Sequence, residues 1–489
     1  MTKFRAFIPV SRSVISCRRS FHRLRLLPAV GIRVTGTVRE NLDAMKLLPS
    51  KKLGQNFLTD TNMSAWIADQ LEAGPDDCVI EVGPGLGALT RHLVGRVRKI
   101  VLVEKDYRLA GRLKEQFADD ASVEVHTMDA CEFDHRALYA EGPVKFIGNL
   151  PYSAAGQIMR NLLDHPTPVA NAVLMLQKEV AERLVAKPRT KKFGVLTLQH
   201  AQRWQVDFLK TVPPQLFFPV PIIDSAVVRF SPLEADALPV FDRNRFSQLV
   251  KMGFSQRRKQ LRKLLPETPI FWVEVAEQLG ISDTARAEEL DLPTWIALTR
   301  IFDGLSDSVS DRGQSDNEVF DVVDDKDEVV RQERRAVVHA EGLCHRAIHI
   351  FAFNRAGELF LQKRSHLKDT MPLRWDSSAS GHVDSGETYL QSALREVEEE
   401  LGVQLAEEDL EFVAKLPPIA ETGFEFVSLY RTEIKPSKVR LPAAEVDTGE
   451  FFSMEQVRTW AGQRPQDFAP GFLECLRALE VEDVGSELA

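Results

Sequence analysis

The chain has 489 residues, 44% hydrophobic and 27% charged, a globular composition that excludes a disordered or fibrous protein and a length that implies about three domains. No run of 18 apolar residues occurs, which excludes a membrane-spanning helix, and the five cysteines (Cys17, Cys78, Cys131, Cys344, Cys475) form no CxxC pair, which excludes a disulfide scaffold or structural zinc site and fits a reducing compartment. The net charge of −9 divides unequally: residues 1–304 carry 42 Lys and Arg against 34 Asp and Glu, whereas 305–489 carry 20 against 37, so the front suits a polyanionic partner and the back does not.

Residues 1–44 hold nine basic and two acidic side chains, mostly arginine, with Ser11, Ser13, Ser16 and Ser20 among them. Two expectations compete: a mitochondrial transit segment, or translation from Met45 with the protein in the cytoplasm. The second is preferred, and under either 1–44 stand outside the fold. From 78 to 230, short β-rich runs (Cys78–Val82, Lys99–Val103, Val123–His126, Val144–Ile147, Ala172–Leu176, Ala226–Phe230) alternate with helical stretches. This predicts an α/β domain over 45–235, with a mostly parallel, Rossmann-like sheet covered by helices on both faces. Residues 242–304 read as helical, with Phe246, Leu249, Val250, Phe254, Leu261 and Leu264 as the apolar set, and predict a small all-helical lobe over 236–304. The polar, acidic, Ser-rich stretch 305–318 reads as a linker. A second α/β unit is expected over 319–489. Its strands are Ala347–Phe353 and Glu358–Gln362, joined by the turn Asn354–Gly357. A helix over Glu387–Leu401 stops at Gly402, and strands Glu411–Lys415 and Glu425–Tyr430 precede two short helices. No internal repeat is present.

The strand Cys78–Val82 runs into Gly83-Pro84-Gly85-Leu86-Gly87. Such a loop lets the backbone turn sharply and approach a ligand. Glu104, 21 residues after Gly83, ends the next strand, where a carboxylate can bind ribose hydroxyls. The spacing is GxGxG, not the dinucleotide GxGxxG, and Asp129 closes the third strand, where an acid can hold an adenine amine. Asn149-Leu150-Pro151-Tyr152 follows the fourth strand. Asn149 can offer a side-chain oxygen and Leu150 a carbonyl to an exocyclic amine, Tyr152 can stack on a base, and Pro151 fixes the turn.

With Gln55-Asn56-Phe57-Leu58, EVGPGLGALT, Glu104, Asp129, NLPY, FFPVPIIDSAVV (217–228) and FSQRRKQLRKLL (254–265) in this order, residues 45–304 resemble the small-subunit ribosomal RNA adenine dimethyltransferase family. The resemblance implies S-adenosylmethionine as donor, and dimethylation of the exocyclic amines of two adjacent adenosines near the 3′ end of small-subunit ribosomal RNA, presented in a pre-30S-type particle. It implies donor contacts at Asn56, Leu58, Gly83, Gly85, Glu104, Asp129 and Asn149. It implies target contacts at Asn149, Leu150, Pro151 and Tyr152, with Phe217 as a second stacking face. Ile222 stands where the family usually has Lys. The large-subunit relatives that confer macrolide resistance match less well. Arg257, Arg258, Lys259, Arg262 and Lys263 lie in a run without an acid and, on a helix, would give an RNA-binding stripe, with Arg189, Lys191 and Lys192 as a weaker second candidate. The rival of another class is an assembly factor that acts by binding alone.

In the back half, Gly381, Glu387, Arg395-Glu396-Val397-Glu398-Glu399-Glu400-Leu401-Gly402-Val403 match GX5EX7REUXEEXGU. Spacings of three and four put Glu396, Glu399 and Glu400 on one helix face, where they need a cation; oxygen ligands suit Mg²⁺ or Mn²⁺. This resembles the Nudix family over about 320–460 and implies an α/β/α fold and metal-dependent hydrolysis of a small diphosphate. In that family Arg395 orients the glutamates, and Glu398 is assigned to solvent. FDVVDDKDEVV, His345-Arg346-Ala347, Trp375 and Gly381-His382 also resemble the isopentenyl diphosphate isomerase branch. His339, His345, His382 and Glu425 would mimic that branch's metal site, but Ser380 stands where it has a catalytic cysteine, so hydrolysis is preferred. A non-catalytic diphosphate sensor is the rival. The whole is expected to be a monomer without a membrane partner.

Overall fold

The computed structural model describes residues 37–50, 52–164, 166–267, 270–303 and 318–487. The arginine-rich 1–36 and all of the expected linker but Glu318 lie outside the described residues. No helix among the described residues is long and apolar enough to cross a membrane.

The boundary expected at 44 moves. Thr37 and Glu40 form a capping box that starts a helix, α1 (Val38–Ala44). Leu42 buries against Leu47, Phe57, Leu86 and Leu109, and Arg112 donates to Asn41 Oδ1 at 3.2 Å. Arginine-rich composition ahead of Thr37 hides this short local signal.

The first domain is a seven-stranded sheet of β1 (Cys78–Val82), β2 (Lys99–Glu104), β3 (Val123–Thr127), β4 (Val144–Asn149), β5 (Val169–Gln177), β6 (Trp204–Val212) and β7 (Ser225–Pro232), in the order β3-β2-β1-β4-β5-β7-β6. The first five strands are parallel; β7 runs antiparallel to both β5 and β6. β6 has no counterpart in the sequence reading. It is a half-exposed edge strand with a bulge between Phe208 and Lys210, so it lacks the continuous apolar run of a buried strand. The strand order reverses between β1 and β4, and ligands of such sheets bind at that crevice, outside the carboxyl ends of the strands. A helical lobe follows, with α2 (Arg243–Phe254) and α3 (Leu292–Phe302) closing on Phe246, Leu249, Val250, Leu261 and Trp295.

The second domain opens with a hairpin, Val319–Val323 and Val329–Arg334, and helix α4 (Arg335–Glu341). Its mixed sheet comprises β8 (His345–Phe353), β9 (Leu359–Arg364), β10 (Trp375–Asp376), β11 (Ala379–His382), β12 (Glu411–Leu416), β13 (Glu425–Glu433) and β14 (Val446–Phe452). The path is β10-β9-β8-β13-β12, with β11 on β8 and β14 on β9. Helix α5 (Tyr389–Leu401) covers one face through Ala393, Val397 and Leu401. Helices α6 (Met454–Gln463) and α7 (Pro470–Glu487) cover the other, where Trp460 and Phe472 meet Phe351, Leu361 and Phe452. This is an α/β/α sandwich.

The two domains dock. Tyr139, on the 3₁₀ turn His135–Glu141 just before β4, is buried in the second domain's aromatic core. Its ring centroid lies 4.6 Å from Trp460, 5.4 Å from Phe452 and 5.5 Å from Trp375. Arg136 pairs with Glu358 (2.9 Å) and donates to the Phe451 carbonyl (2.6 Å), Arg203 pairs with Asp447 (3.1 Å), and Gln456 donates to Asp134 (3.0 Å).

Candidate active sites

At the carboxyl end of β1, Gly83 and Gly85 adopt φ of 68° and 59°. A Cβ on Gly85 would stand 3.1 Å from the Phe57 ring. Positive φ and a crowded neighbour together explain glycine here. Asn56, Leu58, Gly83, Gly85, Glu104, Asp129, Asn149, Leu150, Pro151 and Tyr152 all line one cavity. Glu104 is buried, and its two oxygens accept from the backbone N–H of Gly85 (3.0 Å) and of Asp106 (2.8 Å). Each oxygen keeps a second lone pair for a ligand hydroxyl. Burial raises its pKa, opposed by those two bonds. Asp129 is held below the usual carboxylate range by Lys105 and by the N–H of Cys131. Asn149 Nδ2 donates to the Asn56 carbonyl at 3.0 Å, which orients the amide and leaves Oδ1 for a ligand. Tyr152 shares a 2.6 Å hydrogen bond with Ser225, which pins its ring.

Phe217 is not on this cavity wall. It is 2% exposed and lies beside Leu58 on a two-residue ladder, so the expected second stacking face is covered. Several lining residues escaped the sequence reading, among them Glu81, Arg91 and Met128. Glu81 is buried, its pKa pushed up to about 7 by burial, with Thr90 donating to it at 2.7 Å. An acid inside an otherwise apolar strand, two residues before the glycine loop, was the available signal.

The basic run does not form a helical stripe. α2 stops at Phe254, and 255–263 continue as turns and one 3₁₀ turn. Arg257 is tied to Glu288 (2.6 Å) and to the carbonyls of Lys191 and Thr190, so it anchors the lobe to the first domain. Arg262 lies 3.9 Å from Asp283 and donates to Gln260. Arg258, Lys259 and Lys263 are exposed.

In the second domain, Thr388 caps α5 and Gly402, at φ 63°, ends it. Arg395 pairs with Glu387 (3.1 Å), Glu396 (2.7 Å) and Glu399 (3.2 Å), and donates to the His382 carbonyl (3.2 Å). A Cβ on Gly381 would sit 2.1 Å from Glu396 Oε1, so only glycine there leaves room for that carboxylate. Glu400 is buried and accepts from Gln362 (2.7 Å) and the Ser380 N–H (3.0 Å), with Lys368 Nζ 3.6 Å away. Lys368 also contacts Glu445. Burial, then the neighbouring Glu400, raises the Glu396 pKa; burial also raises that of Glu400 against the pull of Lys368. Glu399 is over half exposed, and Glu398 is exposed and bonded to Gln404. Two buried carboxylates that resist ionising side by side are a donor set that a divalent cation relieves, and all-oxygen ligation fits Mg²⁺ or Mn²⁺. The ligand set expected from spacing alone is thus looser than three converging glutamates, because Glu399 points outward.

His339, His345 and His382 converge, with ligand atoms all within 4.8 Å of one another; among the described residues no other such group of three or more His, Cys, Asp or Glu is found. Glu425 lies 3.2 Å from His382 Nε2 and 3.4 Å from His345 Nε2. His345 Nδ1 donates to the Leu343 carbonyl at 2.9 Å, which orients the ring with Nε2 toward Glu425. Burial, then His382 and His345, lowers the His339 pKa to about 4, and burial lowers that of His382, so these two imidazoles are neutral at pH 7.

Comparison with known proteins follows this division. The family model described as ribosomal RNA adenine dimethylase matches residues 48–303, and the NUDIX domain model matches 344–472. The ribosomal RNA small subunit methyltransferase A of Geobacter metallireducens is 42% identical over 258 residues, 51% of this chain and 94% of that protein. The protein of that name from Leptothrix cholodnii is 38% identical over 258 residues, 52% and 92%. The crystal structure of the 23S rRNA methyltransferase ErmE is similar at 30% identity and a TM-score of 0.41, covering 50% of this chain and 99% of that one.

Proposed function

Since the chain belongs to the ribosomal RNA adenine dimethylase family through residues 48–303 and carries a NUDIX domain over 344–472, we propose that it dimethylates two adjacent adenosines near the 3′ end of small-subunit ribosomal RNA and hydrolyses a small diphosphate in its second domain. The methyl donor, S-adenosylmethionine, would supply an activated methyl group. The protein's part is then to position the amine. Asn149 Oδ1 and the Leu150 carbonyl would accept the two N–H bonds of the target amine and so aim its lone pair; the Tyr152 ring, pinned by Ser225, would stack on the base. Glu104 and Asp129 would hold the donor's ribose and adenine. The observation that carries this reading is the cavity gathering all of these residues at the β1/β4 crevice. Methyl transfer to small subunits lacking the modification, measured for the wild type and for Asn149→Ala, tests it. Transfer by the wild type alone is expected. Intact subunit binding without donor binding would favour an assembly factor instead.

In the second domain a divalent cation would neutralise the diphosphate and activate water. Glu396, Glu399 and Glu400 would hold it, with Arg395 orienting Glu396 and Glu399. Metal-dependent phosphate release from a panel of nucleoside diphosphates tests this; no release from any member would favour a sensor. The convergence of His339, His345, His382 and Glu425 supports a second reading, an isopentenyl-diphosphate-isomerase-like enzyme. Ser380, in the place of that branch's cysteine, weighs against it. Conversion of isopentenyl diphosphate without phosphate release would select it.

A further inference from the structure

The two domains enclose a cavity of about 660 Å³ that contains none of the residues of either active site. Its first-domain wall includes Pro143 and Pro168, immediately before β4 and β5. It therefore lies at the amino-terminal ends of these strands, opposite the Asn149 loop. Its second-domain wall includes Lys363 from β9. On that strand Gln362 turns to Glu400 and Arg364 to Asp376. Neighbouring residues of a strand point to opposite faces, so Lys363 faces away from the acidic helix and into the cavity.

The cavity carries an excess of cations: Arg203, Arg243, Lys363, Arg374 and Arg464 against Glu234, Asp447 and Asp467. Arg203 is matched by Asp447 (3.1 Å) and Arg464 by Asp467 (2.8 Å). Arg243, Lys363 and Arg374 also line the wall, and none forms an ion pair with a carboxylate among the described residues. Arg243 donates to the Gln202 carbonyl at 2.7 Å and stacks over Phe241. Burial lowers the pKa of Lys363 against the pull of Asp447 and Asp467, and burial together with Arg203 brings that of Arg243 down to about 9 although Asp447 opposes them. Buried cations held next to one another cost free energy that an anion would relieve. Between these charges the wall is apolar, with Pro168, Leu238, Leu373 and Trp375, which inorganic phosphate alone would not use.

We propose that this interdomain cavity binds a phosphorylated small molecule of mononucleotide size, its phosphate between Arg243 and Lys363 and its body against the apolar wall. Because the site draws Arg203 and Arg243 from one domain and Lys363 and Arg374 from the other, such a ligand would tighten the docking of the two.

The test is calorimetric titration of the full chain with uridine 5′-monophosphate, the donor site saturated with S-adenosylhomocysteine. Saturable binding is expected, about tenfold weaker in Lys363→Met and in Arg243→Gln, the loss of one charge-assisted contact each. Glu396→Gln, at the acidic helix, should bind as the wild type does. A thermal melt of each variant checks folding, and Lys363→Met decides the matter should Arg243→Gln unfold. Absence of saturable binding, or loss in Glu396→Gln with none in Lys363→Met, would overturn the proposal. Inorganic phosphate binding as tightly as the nucleotide would overturn the assigned ligand class.

Discussion

In the first domain the site residues sit on loops at the carboxyl ends of adjacent parallel strands, and many of their polar contacts are to backbone atoms: Glu104 to two amides, Asn149 to a carbonyl. In the second, one helix carries the acids, and basic side chains balance them: Arg395 of the same helix across the acidic face and Lys368 against Glu400, while Glu425 stands beside the imidazoles of His345 and His382. A site held by strand order and backbone bonds depends on the sheet and tolerates a shift in charge. A site of opposed charges depends on each partner, on pH and on cations. The same chain thus holds one site whose geometry is fixed by topology and another whose geometry is fixed by electrostatics.

The largest expected effect tests whether the two sites are independent at all. Tyr139→Ala removes a large aromatic from the second domain's core and should cost about 3–5 kcal/mol, splitting the unfolding transition seen by calorimetry into two. Tyr139 Oη is buried without a hydrogen-bond partner in the protein, so Tyr139→Phe should be neutral or stabilising. Equal melting of wild type and Tyr139→Ala would deny the docking. Next, Gly381→Ala pushes a methyl into Glu396. Diphosphate turnover should fall on the order of 10²-fold, while methyl transfer by the same preparation stays unchanged; a parallel fall in both would show that the sites are not separable. Third, the two sites should differ in their response to cations. Glu396 and Glu400 have folded-state pKa values raised above those of the unfolded chain. Between those values the folded state holds protons that the unfolded state lacks, so without metal stability falls as pH rises through that window. A divalent cation replaces the protons, so the rise in melting temperature with Mg²⁺ should be larger at pH 8 than at pH 6, and absent in Glu396→Gln/Glu400→Gln. The smallest effect concerns RNA. Lys259→Ala should reduce the slope of log K against log salt by about 0.7–0.9 if it meets one phosphate. Arg257→Ala should instead lower the melting temperature through loss of Glu288 and two carbonyl contacts.

Strands β1, β2, β4, β5 and β7 were legible because each is a largely buried apolar run, β3 because it alternates between β-branched and polar residues, and Gly83, Glu104, Asp129 and Asn149 because each stands at or just after the end of a strand. The acidic helix was legible because its residues share one helix face. What was not legible came from distant segments or from exposed ones. Lys368 from a loop and Gln362 from a strand reach Glu400, and Glu445 from another loop holds Lys368. Edge strand β6 and the second strand of the hairpin, Val329–Arg334, show too few buried residues for a clear period. The basic run was misplaced because composition reports charge and not the end of a helix: α2 stops before Arg257, which then turns back on Glu288. Phe217 lay in a recognisable motif, yet it is covered beside Leu58 and does not reach the cavity wall, a fact of packing and not of composition.

Tyr139 has a last consequence, for synthesis. A growing polypeptide leaves the ribosome amino end first, and domains tend to fold in that order. The first sheet needs nothing from beyond residue 303 to form its core. Trp375, Phe452 and Trp460, made much later, close around a side chain from the earlier domain. The finished front half therefore serves as a template on which the back half completes itself, and the back half expressed alone would carry an open aromatic socket, prone to self-association.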